Sequence, residues 1–319
     1  MVTTGPGPNN APATPATRGD ALAELHAALE AAELHYGHGT DNAWDEAVQL
    51  LLGVLRLPPD SDDSVLRVPL ATSEWEQLWA LLRQRIDERV PLPYLLGEAW
   101  FAGLRFLCDR RALVPRSPLA ELIVADYAPW WRGRARRRIL DLCCGGGSIG
   151  IAARVYAPQA ALTLSDIDAG ALALARDNLA LHGLEGQVRV VQADLFEGLA
   201  GEQFDLVLCN PPYVDREDIA ALPAEFGAEP PRGLGAGDDG LDLALKILAR
   251  APQHLAAGAY LFLELGNSWE ALDALCPRLP LTWVEFARGG HGVLAASAGE
   301  LRDWQPHFAA LARSREPVS

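Results

Sequence analysis

The apolar run FDLVLC ends in Asn210-Pro211-Pro212-Tyr213, an unusual terminus for a strand that reads as buried. Consecutive prolines remove two backbone donors and restrict the dihedrals around them, which holds the Pro211 carbonyl outward as an acceptor. The Asn210 side-chain oxygen is a second acceptor, and Tyr213 offers an aromatic face. Two acceptors beside a flat surface suit a planar NH2 group, because both N–H bonds are held and the plane is fixed. The expected catalytic set is therefore Asn210, Pro211, Pro212 and Tyr213, acting by positioning, which carries several kcal/mol of a transfer barrier.

A second constellation lies upstream. In DLCCGGGSIG, Gly145, Gly147 and Gly150 fit G-x-G-x-x-G with an acid, Asp166, further on; on spacing alone this also suits a dinucleotide. Asp141, at the end of the preceding strand, shifts the balance. Its carboxylate would crowd a diphosphate but attract a sulfonium and an ammonium, a gain of a few kcal/mol at about 4 Å near a protein surface. S-adenosyl-L-methionine is thus the expected cofactor. Asp166 would accept from ribose hydroxyls, Asp194 from an adenine amino group, and Leu195 or Phe196 would give an apolar face. Cys143, Gly145, Gly147 and Asn210 complete the expected cofactor set. Cys143 and Cys144 read as small loop packers, since no second pair at ligand spacing accompanies them, and no metal is expected. His291, set between glycines, reads as a turn residue rather than a base.

These residues need a scaffold that brings strand ends together. RRRILDLC, ALTLSDID, VRVVQADLF, FDLVLCN and AYLFLELG read as buried strands, and SIGIAARVYA, AGALALARDNLALHG, LDLALKILARAPQHL and SWEALDALC as the helices between them. That alternation predicts an α/β fold with a doubly wound parallel sheet, all the acids lying at its carboxyl edge. LTWVEFARG and HGVLAASA, joined through Gly289-Gly290, are predicted to form a C-terminal antiparallel hairpin at one sheet edge. Upstream, residues 1–18 hold almost no large apolar side chains and are expected to be disordered. Residues 19–90 carry three amphipathic helical patterns, the second starting after a cap at Asp41, and are expected to form a small helical substrate-recognition domain. Residues 91–116 are predicted to form a linking β-hairpin, and residues 117–319 the cofactor domain. Glu229-Pro230-Pro231 and the glycine-rich stretch to Gly240 are expected to form a flexible lid.

Composition narrows the partners. A formal net charge of -15 repels a phosphate backbone and favours a basic protein as substrate, so direct nucleic-acid binding is not expected. The basic cluster Arg132 to Arg138 reads as a solvated linker. The five cysteines are odd in number and lack C-x-x-C spacing, as in a reduced intracellular protein. No membrane association is expected, because neither a spanning apolar run nor a secretory signal pattern is present, and the cytoplasm is the expected location.

With the glycine turn, the three acids and the N-P-P-Y tip together, the chain resembles the class I S-adenosylmethionine-dependent methyltransferases of the [ND]PP[YFW] type. That resemblance implies a Rossmann-like methyltransferase domain and a target amino group conjugated to a planar system. From roughly Pro91 to Val293 the chain is most similar to the protein-glutamine N5-methyltransferases. LVPRSPLAEL, DDGLDLALKIL, ELGNS and GGHGV look like the branch that methylates a glutamine of the large-subunit ribosomal protein L-three. The release-factor branch has a Pro-Arg-Pro-x-Thr-Glu version of the first segment; this chain has Pro115-Arg116-Ser117-Pro118. A basic ribosomal protein is then the implied partner, electrostatically matched to an acidic enzyme. One departure is Cys143 in place of the first glycine of D-x-G-x-G, tolerable if the backbone there keeps a negative φ. Competing readings are glutamine methylation of a release factor, methylation of adenine or guanine in nucleic acid, and a non-enzymatic assembly factor with a relic cofactor fold.

Overall fold

The structure is a computed structural model and describes residues 11–131 and 137–315. Two compact units emerge: one runs through Ala99 and includes Pro223–Ala228, the other comprises Trp100–Leu222 and the chain from Glu229 onward.

The first unit is helical, with α1 (Arg18–Ala31), α2 (Ala43–Leu55), α3 (Thr72–Asp87) and the short α4 (Leu92–Leu96). Leu22, Leu25 and Leu29 of α1 meet Leu50 and Leu51 of α2 and Trp75, Leu78 and Leu82 of α3 in one core. Thr17 and Asp20 close a capping box on α1, satisfying amide donors that the first turn leaves open. Helix α2 is capped by Asn42, which accepts from the Asp45 amide, rather than by Asp41 as expected. The core also holds charge. Arg85, 2% exposed, donates to Glu46 through Nε, to Glu225 through Nη1 at 3.3 Å and to the His35 carbonyl at 2.9 Å. Thr40 donates to Glu46, and the His35 amide to Glu225, so the buried carboxylates are multiply satisfied.

Residues 1–10 of the expected disordered tail lie outside the described residues. Residues 11–18 are ordered, which corrects that expectation. The Trp75 indole donates to the Pro12 carbonyl, Leu70 donates to Ala16, and Thr17 pairs with Pro69, so hydrogen bonds to their backbone, with Ala11 packed on the helical core and Pro15 buried, fix them. The expected 91–116 hairpin is also corrected. Its first residues form α4, and the hairpin is confined to β1 (Glu98–Phe101) and β2 (Leu104–Leu107), joined by Ala102 and Gly103 at φ 49° and 76°. Positive φ at both loop residues matches the twist of a two-residue hairpin turn.

The second unit continues with α5 (Leu119–Val124), β3 (Arg138–Leu142), α6 (Ser148–Tyr156), β4 (Ala161–Asp166), α7 (Ala169–Leu181), β5 (Arg189–Gln192), β6 (Phe204–Cys209), α8 (Arg216–Ala221), α9 (Asp242–Arg250), β7 (Leu255–Glu264), α10 (Trp269–Leu275), β8 (Val293–Ser297) and α11 (Ala298–Ser314). The sheet order is β5-β4-β3-β6-β7-β8, parallel throughout except for β8, which runs antiparallel to β7. Alternate strand residues feed opposite faces. Leu140, Val207, Leu261 and Leu263 join α9 and α11 in one core, whereas Ile139, Leu206, Leu208 and Phe262 join α5, α6 and α7 in the other. Burial on both faces is why the strands read as nearly continuous apolar runs. Of the expected C-terminal hairpin, HGVLAASA supplies β8 beside β7, and LTWVEFARG runs antiparallel to it through a bridge from Trp283 to Leu294, with the Val284 amide donating to Val293 at 2.8 Å and the Ala295 amide to Thr282 at 2.9 Å. Of the basic cluster, residues 132–136 lie outside the described residues, and Arg138 pairs with Glu202.

Candidate active site

Strand order reverses between β3 and β6, the place where a doubly wound sheet opens a crevice at its carboxyl edge. Leu142 pairs with Cys209, and Cys209 with Leu263, so Cys143, Asn210 and Glu264 leave three adjacent strands side by side. The topology therefore places the glycine turn and the N-P-P-Y tip at the same opening.

Asp141 is fully buried, and its Oδ2 accepts from the Gly150 amide at 2.7 Å. Its Oδ1 is buried without a hydrogen-bond partner among the described residues. Burial pushes this carboxyl up to about 8, against the Gly150 hydrogen bond and with the Asp166 charge adding to the rise. An orphaned buried carboxylate oxygen is costly unless a cationic or donor group reaches it, so this residue fits the charge of S-adenosylmethionine. Asp166, at the tip of β4, accepts from the Gly145 amide at 2.8 Å through Oδ2 and from the Asp168 amide at 2.9 Å through Oδ1. Each oxygen keeps a lone pair for a ribose hydroxyl. Gly145 and Gly147 have φ 53° and 80°, the left-handed region that glycine supplies without strain.

Three expectations change. Cys143 adopts φ 60° instead of the expected negative φ, so the turn keeps its glycine geometry at a cost of roughly 1–2 kcal/mol. Its side chain packs against the core cluster that holds buried Cys209, consistent with a packing role. Phe196 is 1% exposed and stacks on His254 at 4.5 Å, which puts it in the core and not at an open adenine face. Leu195, at φ 50°, is also largely buried. Asp194 is exposed beyond the end of β5. A better apolar face was missed: Ile167, directly after the β4 acid, is 54% exposed, a large apolar group presented to solvent beside a ligand-type carboxylate.

On the other side of the opening, Asn210 is half-buried and Pro211 buried. The Tyr213 hydroxyl donates to Glu264 Oε1 at 3.1 Å, and its main-chain oxygen accepts from Ser268 Oγ at 2.7 Å. Glu264 also accepts from Ser117 Oγ. Glu229, expected in a flexible lid, is instead buried and fixed: it binds Arg116 through two contacts of 2.5 and 2.6 Å and accepts from the Val114 amide. His291 Nε2 lies 2.9 Å from Asn267 Oδ1, holding the two loops together. Among the described residues no cluster of three metal-type ligands occurs, and no helix is long and apolar enough to cross a membrane.

Comparison with known proteins agrees with this arrangement. Residues 129–237 match the family described as Methyltransferase small domain. Over 285 residues the chain is 49% identical to the ribosomal protein uL3 glutamine methyltransferase of Xanthomonas campestris pv. campestris, covering 89% of this chain and 92% of that protein. Proteins of the same description from Francisella tularensis subsp. tularensis and Xylella fastidiosa are 42% and 47% identical, covering 88% and 89% of this chain and 90% and 91% of theirs.

Proposed function

The chain belongs to the ribosomal protein uL3 glutamine methyltransferase family, and from that premise we propose that it transfers a methyl group from S-adenosyl-L-methionine to the side-chain amide nitrogen, N5, of a glutamine in ribosomal protein uL3. The observation that carries this reading is the pairing of β3 with β6, which brings the glycine turn of Asp141 beside the tip bearing Asn210. The net charge of -15 supports a basic protein as the partner.

Bound S-adenosylmethionine supplies an electrophilic methyl group on a sulfonium. Asp141 would hold a positive group of the cofactor, Asp166 the ribose hydroxyls, and Ile167 would face the adenine. An amide nitrogen is a weak nucleophile because its lone pair is delocalised into the carbonyl. Asn210 Oδ1 and the Pro211 carbonyl accept its two N–H bonds, and the Tyr213 ring carries its plane, so the lone pair is held in the direction of attack. The amide nitrogen would take the methyl group as the sulfur–carbon bond breaks, the electron pair staying on sulfur as the neutral thioether S-adenosylhomocysteine, and would give one proton to water, so no strong base is required.

Incubation of the purified chain with uL3 and S-adenosylmethionine is expected to add one methyl group to a uL3 glutamine, read by peptide mass spectrometry. Asn210→Ala is expected to lower kcat by about 100-fold while cofactor affinity stays within about threefold. Near-normal turnover by that variant removes Asn210 from the reading.

A further inference from the structure

Tyr213 has the most completely built surroundings of the N-P-P-Y tip. Its ring lies against Gly266, where a Cβ would come within 2.4 Å of the ring, and its carbonyl lies against Gly240, where a Cβ would come within 2.0 Å of the oxygen. Gly292 backs Gly266 in turn: the Leu265 amide donates to the Gly292 carbonyl at 2.7 Å, and a Cβ on Gly292 would reach the Gly266 carbonyl at 2.1 Å. DDGLDLALKIL, ELGNS and GGHGV, far apart in sequence, therefore meet behind one side chain. Glu264 anchors that assembly. It is buried, and its two oxygens take the Tyr213 and Ser117 hydroxyls, Ser117 Oγ itself accepting from the Leu119 amide at 3.1 Å.

We propose that Glu264 is a positioning residue for methyl transfer: by accepting from the Tyr213 and Ser117 hydroxyls it locks the ring on which the glutamine amide is laid, without touching the substrate. The inference rests on the proposed role of Tyr213 as that platform. An ionised carboxylate offers acceptors to both hydroxyls, whereas protonation turns one oxygen into a donor and forces one hydroxyl to reverse. Charged and titratable groups bear on it from each neighbouring segment: Arg116 before α5, Tyr213 beyond β6, and Cys209 at the end of β6, with Glu229 acting on Tyr213. Burial pushes Glu264 up to about 7, opposed by the two hydroxyls and by Arg116, so the change falls near neutrality.

Steady-state methylation of uL3 by the full chain and by Glu264→Gln, Glu264→Ala and Tyr213→Phe, between about pH 6 and pH 9, tests this. Wild-type kcat is expected to fall on the acid side of about pH 7, with KM for S-adenosylmethionine within about twofold. Glu264→Gln, whose amide offers one acceptor and one donor like the protonated carboxyl, should hold kcat near the wild-type acid-side level throughout and lose the acid limb. Glu264→Ala should lose at least about tenfold in kcat throughout, and adding Tyr213→Phe to it should cost less than about twofold more. A Glu264→Gln variant that keeps the wild-type acid limb overturns the assignment, as does a Glu264→Ala variant at wild-type kcat. Should Glu264→Ala fail to fold, the Glu264→Gln profile decides alone. A wild-type chain that leaves uL3 unmodified overturns the substrate reading together with this inference, whereas an active wild type with unaffected variants overturns this inference only.

Discussion

Asp141 Oδ2 accepts from the Gly150 amide at 2.7 Å, joining the tip of β3 to the first turn of α6 across the glycine loop. So close an approach requires that Gly150 carry no side chain. A Cβ there would lie 2.7 Å from Asp141 Cβ and 2.6 Å from Leu164 Cδ2.

Gly150→Ala therefore sets two effects against each other. Alanine gains about 1 kcal/mol of helix propensity. The leucine methyl can yield, but Asp141 Cβ is fixed by pairing on both sides of β3, and overpacking of this kind costs about 1–3 kcal/mol. A lower urea midpoint and weaker cofactor binding are expected; a midpoint at or above wild type would mean that the turn relaxes freely.

The protonation of Asp141 makes stability fall with rising pH. Asp141 and Glu264, with ordinary values of 3.8 and 4.5, are pushed up to about 8 and about 7 by burial. Between those limits the folded chain keeps protons that the unfolded chain has released. Stability present at low pH is thus lost as pH rises through the folded values. The cofactor-free chain should lose unfolding free energy on the order of a few kcal/mol from about pH 5 to pH 8, with Tm falling accordingly, and Asp141→Asn should flatten that slope. Thermal scans across the range read it, and equal slopes in both proteins would refute it.

A cation held by Asp141 needs the carboxylate form, so binding of S-adenosylmethionine near neutral pH should release a proton. Calorimetric titration in two buffers of different ionisation heat is expected to give different apparent enthalpies for wild type and matching ones for Asp141→Asn. Identical enthalpies for wild type would exclude the linkage.

Much of the second unit was legible because its strands are buried on both faces and its helices on one, giving long apolar runs and helical spacing. What escaped depended on direction or distance. Nothing in QADLF tells that Phe196 turns inward onto His254, 58 residues later, while Ile167 stays exposed next to Asp166. Cys143 was placed correctly in the turn, but its backbone is dictated by the loop and not by its own preference. Helix α11 was missed because Pro306 lies inside it; burial of Leu301, Trp304 and Phe308 overrides that local penalty, and the Ser297–Glu300 capping box was its readable signal. The bond from Tyr213 to Glu264 joins residues 51 apart, a relation that only the strand order reveals.

Arg116 and Glu229 form a fork whose carboxylate has no side-chain exposure. Arg116→Ala strands a buried charge and is expected to cost about 3 kcal/mol. Arg116→Lys, lacking the planar fork, should recover only part of that loss. Urea unfolding of the two variants measures the difference, and equal midpoints for wild type and Arg116→Ala would mean that water or a neighbouring group satisfies Glu229.

In the helical unit, Arg85 joins Glu46 and Glu225 with every group nearly inaccessible. Arg85→Ala should destabilise by about 3–5 kcal/mol, since Glu46 loses its counter-charge and Glu225 is left with Arg89 at 3.4 Å. Adding Glu46→Gln and Glu225→Gln should restore part of the lost stability; no recovery would point to lost packing rather than charge.

Glu225 reaches that cluster from a stretch far downstream, Pro223–Ala228, inserted between Leu222 and Glu229 of the other unit. The helical unit is consequently discontinuous in the gene. An excised fragment stopping at Ala99 keeps Arg85 and Glu46 yet lacks their third member, so dissecting this protein into working halves demands a grafted loop or a circular rearrangement, not a simple cut.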